Sequence, residues 1–434
     1  MSWLGGAAGG ETGGGEKLVA FNPASTPQTA TLATEEGEVL AVRVPPLGIR
    51  VLDPARAPVP DDRDAVRVEG ERTLGNSFLE ATIDDAGRIG MLRRADGGTL
   101  ANGLGEDGSP LPMNQLVVYE DRPRRWEAWD TDRDYQEIAT RVMSAAARIA
   151  VTKRGPVLSE ITVERPVGAA SRLVQRYRLQ AGSPRLDVVT EVEWREDQRL
   201  LRALFPCDVR ARRATFGIQF GHVERATHDN TSWERAQFEV PGHSWMDLSQ
   251  PGLGVAVLDD GKFGRSAKHG TLGLSLLKSP NFPDPTADRG LHRFTYSVMV
   301  HHGCWRAAGV DAQAEQLNHP LVGAMARGGA GAIVDGWQAV DVRASGAAHL
   351  EVAALKPAEA AGGVALRLVE VRGGAGEVTV RWGFPVADAH AADLFERPME
   401  IDGFAHDADA RTTSFRVRPF QIVTVRAELP GAGA

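Results

Sequence analysis

The strongest constraint on this chain is an alternation with a period of two residues. Leu186, Val188, Thr190, Val192 and Trp194 alternate with Arg185, Asp187, Glu191 and Glu193, interrupted only by Val189. Leu173, Gln175, Tyr177 and Leu179 form a second face of this kind. Val378, Val380 and Trp382 alternate with Thr379 and Arg381, and Phe415 and Val417 with Arg416 and Arg418. Successive strand side chains point to opposite faces, so the pattern is that of half-buried strands, antiparallel where tight turns join them. The 48 glycines and 25 prolines punctuate these segments, as turns between short strands require. Helical periodicity is nearly absent: Ala353–Ala361 contains helix formers but is short and includes Pro357. The expected fold class is all-β, built of sandwiches. There is no P-loop, and the Gly-rich stretches lack the strand–turn–helix context of a dinucleotide site.

The punctuation divides the chain. Residues 1–15 are a Gly-rich start, expected to be disordered. Residues 16–56 hold a small β segment, followed by the Pro/Asp-rich linker 57–64. A large strand-rich body covers 65–312, and a Gly/Ala-rich link after 317–321 leads to a small C-terminal β-sandwich at 333–428. No repeat of fixed period is present.

Charge narrows the partners. The formal net charge is −8 and no Lys/Arg-rich run occurs, which argues against a nucleic-acid or anionic-membrane surface. No stretch of about 18 apolar residues occurs, so no membrane span is expected. The N-terminus lacks the basic and apolar regions of a secretory signal, and a cytoplasmic protein is the default. Cys207 and Cys304, each in an apolar, strand-like stretch, read as buried free thiols of a reducing compartment, with a single disulfide as the alternative.

Three stretches concentrate chemistry. DRPRRWEAWDTD (121–132) sets Trp126 and Trp129 among Asp121, Glu127, Asp130, Asp132 and three arginines, Arg122, Arg124 and Arg125. Indole faces pack on sugar C–H surfaces, and glycosidases use paired carboxylates. The competing reading is a structural knot in which guanidinium groups stack on indoles and pair with acids. Residues 227–249 collect His228, Asp229, Asn230, Trp233, Glu234, Arg235, Glu239, His243, Trp245 and Asp247 without a metal-ligand spacing. His301 and His302 are adjacent and would point to opposite faces of a strand. Residues 276–298 contain Pro280, Pro283, Pro285 and Gly290 and form a stiff loop carrying Lys278, Asp284, Asp288, Arg289 and His292. No G-x-S-x-G is present, so acyl transfer has no support.

At these stretches the chain resembles the C-terminal half of the α-mannosidases of glycoside hydrolase family 38, in the branch of the cytosolic and vacuolar-type enzymes. The resemblance rests on residues 121–135, 227–264 and 274–303. Further matches are LVAFNP (18–23), VPPLGIRVL (44–52), EQLNHPL (315–321), LKPAEA (355–360) and FRVRPFQIVTVR (415–426), in the family's order. It implies a large galactose-mutarotase-like supersandwich flanked by smaller β-sandwiches. It also implies a separate catalytic barrel that carries a zinc-type divalent ion, introduced by His-x-Asp, and both catalytic aspartates. This sequence contains no His-x-Asp, so no catalytic residue and no metal ligand is expected in it.

The resemblance implies the non-catalytic half of an enzyme hydrolysing terminal α-mannosides, inactive alone, with mannose-containing glycans and a catalytic barrel as partners. It makes Asp288, Arg289 and His292 substrate-proximal. Trp126, Glu127, Trp129, Asp130, Asn230, Trp233 and Asp247 become motif or interface positions. The first four are expected to be buried or to face a surface the barrel would cover. Two residues depart from the family: Glu127 stands where relatives usually have Asp, and Lys278 where many have Arg. The latter change loses a bidentate fork and weakens any substrate role at 278. The alternative is a stand-alone carbohydrate-binding or mutarotase-like supersandwich, which needs a His and a Glu converging on one sheet; His243 with Glu239, or His292, are the candidates.

Overall fold

The computed structural model describes residues 17–33, 39–56, 60–138, 140–143, 145–326, 334–360 and 362–431. The start expected to be disordered, residues 1–15, lies outside the described residues. The fold is all-β. Strands dominate, and the described α-helices are short: Ser232–Ala236, Trp305–Ala308 and Val310–Asn318. The chain forms two compact units, one from residues 59–218 and 223–318, the other from residues up to 58, 219–222 and 319 onward.

The large unit is a sandwich. One layer is a nine-stranded antiparallel sheet whose centre runs through Leu158–Val167, Ser171–Gln180, Arg185–Trp194, Gly290–His301 and Leu253–Asp259. The other is six-stranded, with Gln115–Glu120, Arg199–Pro206 and Thr271–Lys278 adjacent at its centre. One continuous core joins them: Leu173, Val188, Val257 and Val298 meet Leu116, Leu201, Phe205 and Leu274. Each such side chain, fully buried, contributes about 1.5–3 kcal/mol. A four-stranded meander from Arg67–Glu69 to Ile89–Arg94 adds Leu74, Leu79 and Leu92 to the same core. On the opposite face of the nine-stranded sheet the two consecutive helices cover Trp245, Ala256, Leu258 and Met299 with Trp305, Val310 and Ala314.

The alternation works as expected: Leu186, Val188, Thr190, Val192 and Trp194 are all buried. Gln175 breaks the apolar face for a reason. Its amide donates to Tyr296 Oη at 2.6 Å, Tyr296 Oη donates to Asn114 Oδ1 at 2.6 Å, and Asn114 Nδ2 donates to Tyr177 Oη at 2.6 Å. Tyr177 Oη in turn donates to the Gly87 carbonyl at 2.7 Å. Every link of this chain is satisfied, which a buried polar group requires. Burial pushes the Tyr177 phenol up to about 12. Gly87 is needed there, since it has φ +74° and a Cβ would stand 2.3 Å from Val163.

The second unit contains two facing four-stranded sheets around Leu366, Leu368, Val380, Trp382, Phe415 and Val425. The helix-forming residues near 353 belong to a strand, Leu350–Pro357, paired with Gly363–Glu370. In the same unit Lys17–Phe21 lies between Ile49–Leu52 and Val322–Ala326 in a three-stranded sheet. Both cysteines are free, but only Cys207 is buried. Cys304 is exposed, contrary to expectation, because the chain leaves the sheet at His301 and Cys304 takes the N-cap of helix Trp305–Ala308.

Candidate functional site

Three connections converge at one end of the six-stranded sheet. Arg199 pairs with Glu120 and Leu200 with Lys278, so the exits of Gln115–Glu120 and Thr271–Lys278 flank the entry of Arg199–Pro206. The 121–138 segment, residues 195–198 and the 279–289 loop therefore emerge side by side. Gln198 N donates to Ser279 O at 2.7 Å and Asp121 N to Gln198 O at 2.9 Å, which ties the three together.

Lys278 clamps the first segment to the third. Its ammonium lies 2.8 Å from the buried Asp121 carboxylate. It also donates to Thr131 Oγ1 at 3.1 Å and to the Asp130 carbonyl. Burial pushes the Asp121 carboxyl above the usual carboxylate range, while Lys278 pulls it down. Lys278 is thus spent on architecture.

The clamp holds a tight turn. Trp126 adopts φ +56°, and its carbonyl accepts from Trp129 N at 2.8 Å and Asp130 N at 2.9 Å. A bulky residue in the left-handed region is strained and persists only where its surroundings impose it. The indoles meet edge to face, 6.4 Å between centroids at 74°, and stand 61% and 71% exposed. The acids beside them do not form a catalytic pair. Glu127 accepts from Asn281 N at 2.8 Å and Gln198 Nε2 at 3.1 Å. Asp130 Oδ1 accepts from Thr131 N at 2.9 Å, and Asp132 Oδ2 from Arg124 N at 2.9 Å. The indoles and Asp130 are exposed rather than buried, and Glu127 is half-buried.

On the 279–292 loop, Asp288 is exposed at φ +59° and its carbonyl lies 2.7 Å from His292 Nε2. Arg289 Nε donates to Asp197 Oδ1 at 2.8 Å, fastening this loop to residues 195–198. The 227–249 stretch divides. Thr231 and Glu234 form a reciprocal capping box that presents Trp233, 82% exposed, next to the exposed Asn230. Asp247 is buried in the nine-stranded sheet, 2.7 Å from His301 Nε2 and bonded to Ser249 Oγ. His302, the neighbour of His301, is exposed.

A buried network escaped sequence reasoning because its members come from separate stretches. Arg202, on the six-stranded sheet's face away from the core, donates to Tyr135 Oη and, at 2.8 Å, to Ser266 Oγ. Tyr135 Oη donates to Glu239 Oε2 at 3.2 Å, and Ser275 Oγ donates to Glu239 Oε1. Burial pushes the Tyr135 phenol well up. For Arg202, Glu239 and Tyr135 outweigh the burial that opposes its charge, and its pKa is raised. An arginine inside a strand-period pattern was the available signal. Glu239 is committed to this network, while His243 Nδ1 lies 3.1 Å from Ser244 Oγ, so neither is a ready acid or base for the other.

A structural zinc site takes four ligands, a catalytic one three and a water. Among the described residues no three His, Cys, Asp or Glu side chains converge to hold a metal. The nearest approach, Asp247–His301, offers two donors already bonded to each other. The zinc-type ion implied by the resemblance does not fit the residues present.

The architecture and its converging loops define an all-β protein of antiparallel sandwiches that presents exposed tryptophans beside polar loops at one sheet end. Residues 74–286 match the glycosyl hydrolases family 38 C-terminal domain and residues 349–425 the family's C-terminal β-sandwich domain, and the chain belongs to that family as its C-terminal, sandwich portion. It is 39% identical over 333 residues to α-mannosidase 2C1 of Homo sapiens, covering 76% of this chain and 31% of that protein. It is 37% identical over 255 residues to α-mannosidase G of Dictyostelium discoideum, covering 58% and 23%. The chain thus spans about a third or less of the length of these curated relatives. The same fold appears in the crystal structure of an α-mannosidase from Enterococcus faecalis V583, with a TM-score of 0.70 at 13% identity over 96% of this chain and 51% of that one.

Proposed function

We propose that this chain serves as the non-catalytic sandwich half of an α-mannosidase, acting on terminal α-mannosides of cytoplasmic glycans together with a catalytic barrel that supplies the carboxylates and the zinc-type ion. The observation that carries this reading is the turn holding Trp126 and Trp129. It is clamped from below by Lys278 and Glu127, yet both indoles stand in solvent. Chain order and buried charge spent on presenting two exposed indoles favour a surface that meets something apolar or sugar-like. In this reading the indoles and Trp233 meet the barrel, and Asp288, Arg289 and His292 border the sugar.

The chain's own chemistry agrees with a supporting role. Retaining hydrolysis needs two carboxylates about 5–5.5 Å apart around the sugar, and Glu127, Asp132 and Glu239 are engaged with protein donors. The relatives' names, all α-mannosidases, support the substrate class. The test is an aryl α-mannoside assay with zinc or cobalt, on the chain alone and in the presence of a family 38 barrel. Turnover is expected only with the barrel. Hydrolysis by the chain alone would overturn the reading.

A further inference from the structure

The large unit contains a cavity of about 380 Å3 between the six-stranded sheet's outer face and the segments 133–138 and 229–238. It lies apart from the tryptophan turn, whose lining is its own. Four cations contribute to its wall, Arg133, Arg202, Arg235 and Lys268, against two carboxylates, Glu137 and Asp229. The Lys268 ammonium gives its three N–H groups to the carbonyls of Ala226, His228 and Glu234, at 2.9–3.1 Å. Its charge is therefore fixed in place by dipoles, without a carboxylate bonded to it. Burial lowers its pKa, and the nearby Asp229 and Glu234 oppose that shift. Arg202 is buried behind this wall with its charge offset by Glu239 and Tyr135, so the exposed Arg133 and Arg235 are the guanidinium groups free to meet a ligand.

We propose that this cavity binds a phosphate-bearing hexose. The cation excess selects an anion, and phosphate suits it because guanidinium groups bind it with several N–H donors at once. The cavity is larger than a phosphate needs. The Phe238 and Tyr119 rings in its wall offer a surface for sugar C–H groups, and Gln136, Glu137 and Asp229 offer partners for hydroxyls. This inference does not depend on the docking of a barrel, since every residue it uses lies in the large unit of this chain.

The test is calorimetric titration of the full chain with mannose 6-phosphate, mannose and inorganic phosphate. Mannose 6-phosphate is expected to bind, mannose to give no heat, and phosphate to bind at least about tenfold more weakly. Arg133→Ala and Arg235→Ala, both at exposed positions, should each weaken mannose 6-phosphate binding at least about tenfold, one charge-assisted hydrogen bond's worth, with unchanged thermal unfolding. Absence of heat with the wild-type chain at millimolar mannose 6-phosphate would overturn the proposal. So would binding that both substitutions leave unchanged. Equal affinity for phosphate and mannose 6-phosphate would overturn its hexose component. None of these outcomes bears on the tryptophan turn, which both substitutions leave intact.

Discussion

Lys278 Nζ lies 2.8 Å from the Asp121 carboxylate, whose side chain is 1% exposed. The two residues are 157 positions apart in sequence and sit at the exits of two strands that flank a third. A buried ion pair stabilises little by itself, but removing one partner strands a charge at a cost of about 3–5 kcal/mol. Lys278→Met should lose stability of that order in urea unfolding, and adding Asp121→Asn should recover most of it.

The same pair sets a pH dependence. The ordinary value for Asp121 is 3.8, and the folded carboxyl is raised above it. The folded chain therefore holds this proton more tightly than the unfolded chain. The group's contribution to stability is full below about pH 3.8 and is lost as pH rises through the raised value. Lys278→Met removes the residue that opposes the rise, so its destabilisation should grow as pH increases from 4 to 7. Asp121→Asn should flatten that slope. Unfolding midpoints across this range measure both.

Glu127 acts as a staple between the tryptophan turn and the proline-rich loop. Glu127→Ala removes the acceptor for Asn281 N and Gln198 Nε2, at about 1–2 kcal/mol for two hydrogen bonds near the surface. Hydrogen exchange should show the Asn281 amide losing protection while the core strand Arg185–Trp194 keeps its own.

Trp126→Ala and Trp129→Ala truncate side chains that make few internal contacts. Each should change unfolding free energy by no more than about 0.5–1 kcal/mol. If the turn meets a catalytic barrel, the same substitutions should weaken association or aryl-mannoside turnover severalfold in the assembled enzyme. Equal activity in wild type and the double substitution would remove the turn from that role.

Tyr135→Phe deletes the hydroxyl that bridges Arg202 and Glu239. Leaving the buried Arg202 and the half-buried Glu239 short of a partner costs about 1–3 kcal/mol, readable as a lower urea midpoint. In the wild type, the tyrosinate absorbance of Tyr135, Tyr177 and Tyr296 should be missing from a spectrophotometric titration at pH 10–11, because burial holds all three phenols above the ordinary 10.0.

The strand class was legible because burial on one face writes itself directly into the sequence: each of Leu186, Val188, Val192 and Trp194 points inward. The family motifs were legible as well. The tasks of individual polar residues were not. Glu127 and Asp130 look alike in DRPRRWEAWDTD, yet one staples a distant loop and the other caps its neighbour. The difference is created by residues 198 and 281, which only the folded sheet brings near. The Arg202–Tyr135–Glu239 network and the fully buried Arg265–Asp259 pair, 2.6 Å apart, were invisible for the same reason. Charge in a sequence reads as surface until its partner is placed. Cys304 is exposed despite its apolar approach because the strand ends at His301, three positions before it.

The strand Lys17–Phe21 has one neighbour close in sequence and one, Val322–Ala326, about three hundred residues later. During synthesis at roughly 5–20 residues per second, that second edge stays open for about 15–60 s while the whole large unit is made. The early strand is thus an unpaired sheet edge throughout that interval, a template for wrong pairing. A ribosome-associated chaperone that shields short β segments should raise the yield of this chain more than that of the large unit expressed by itself. The timing of birth, and not only the final contacts, is written into where these two strands fall along the polypeptide.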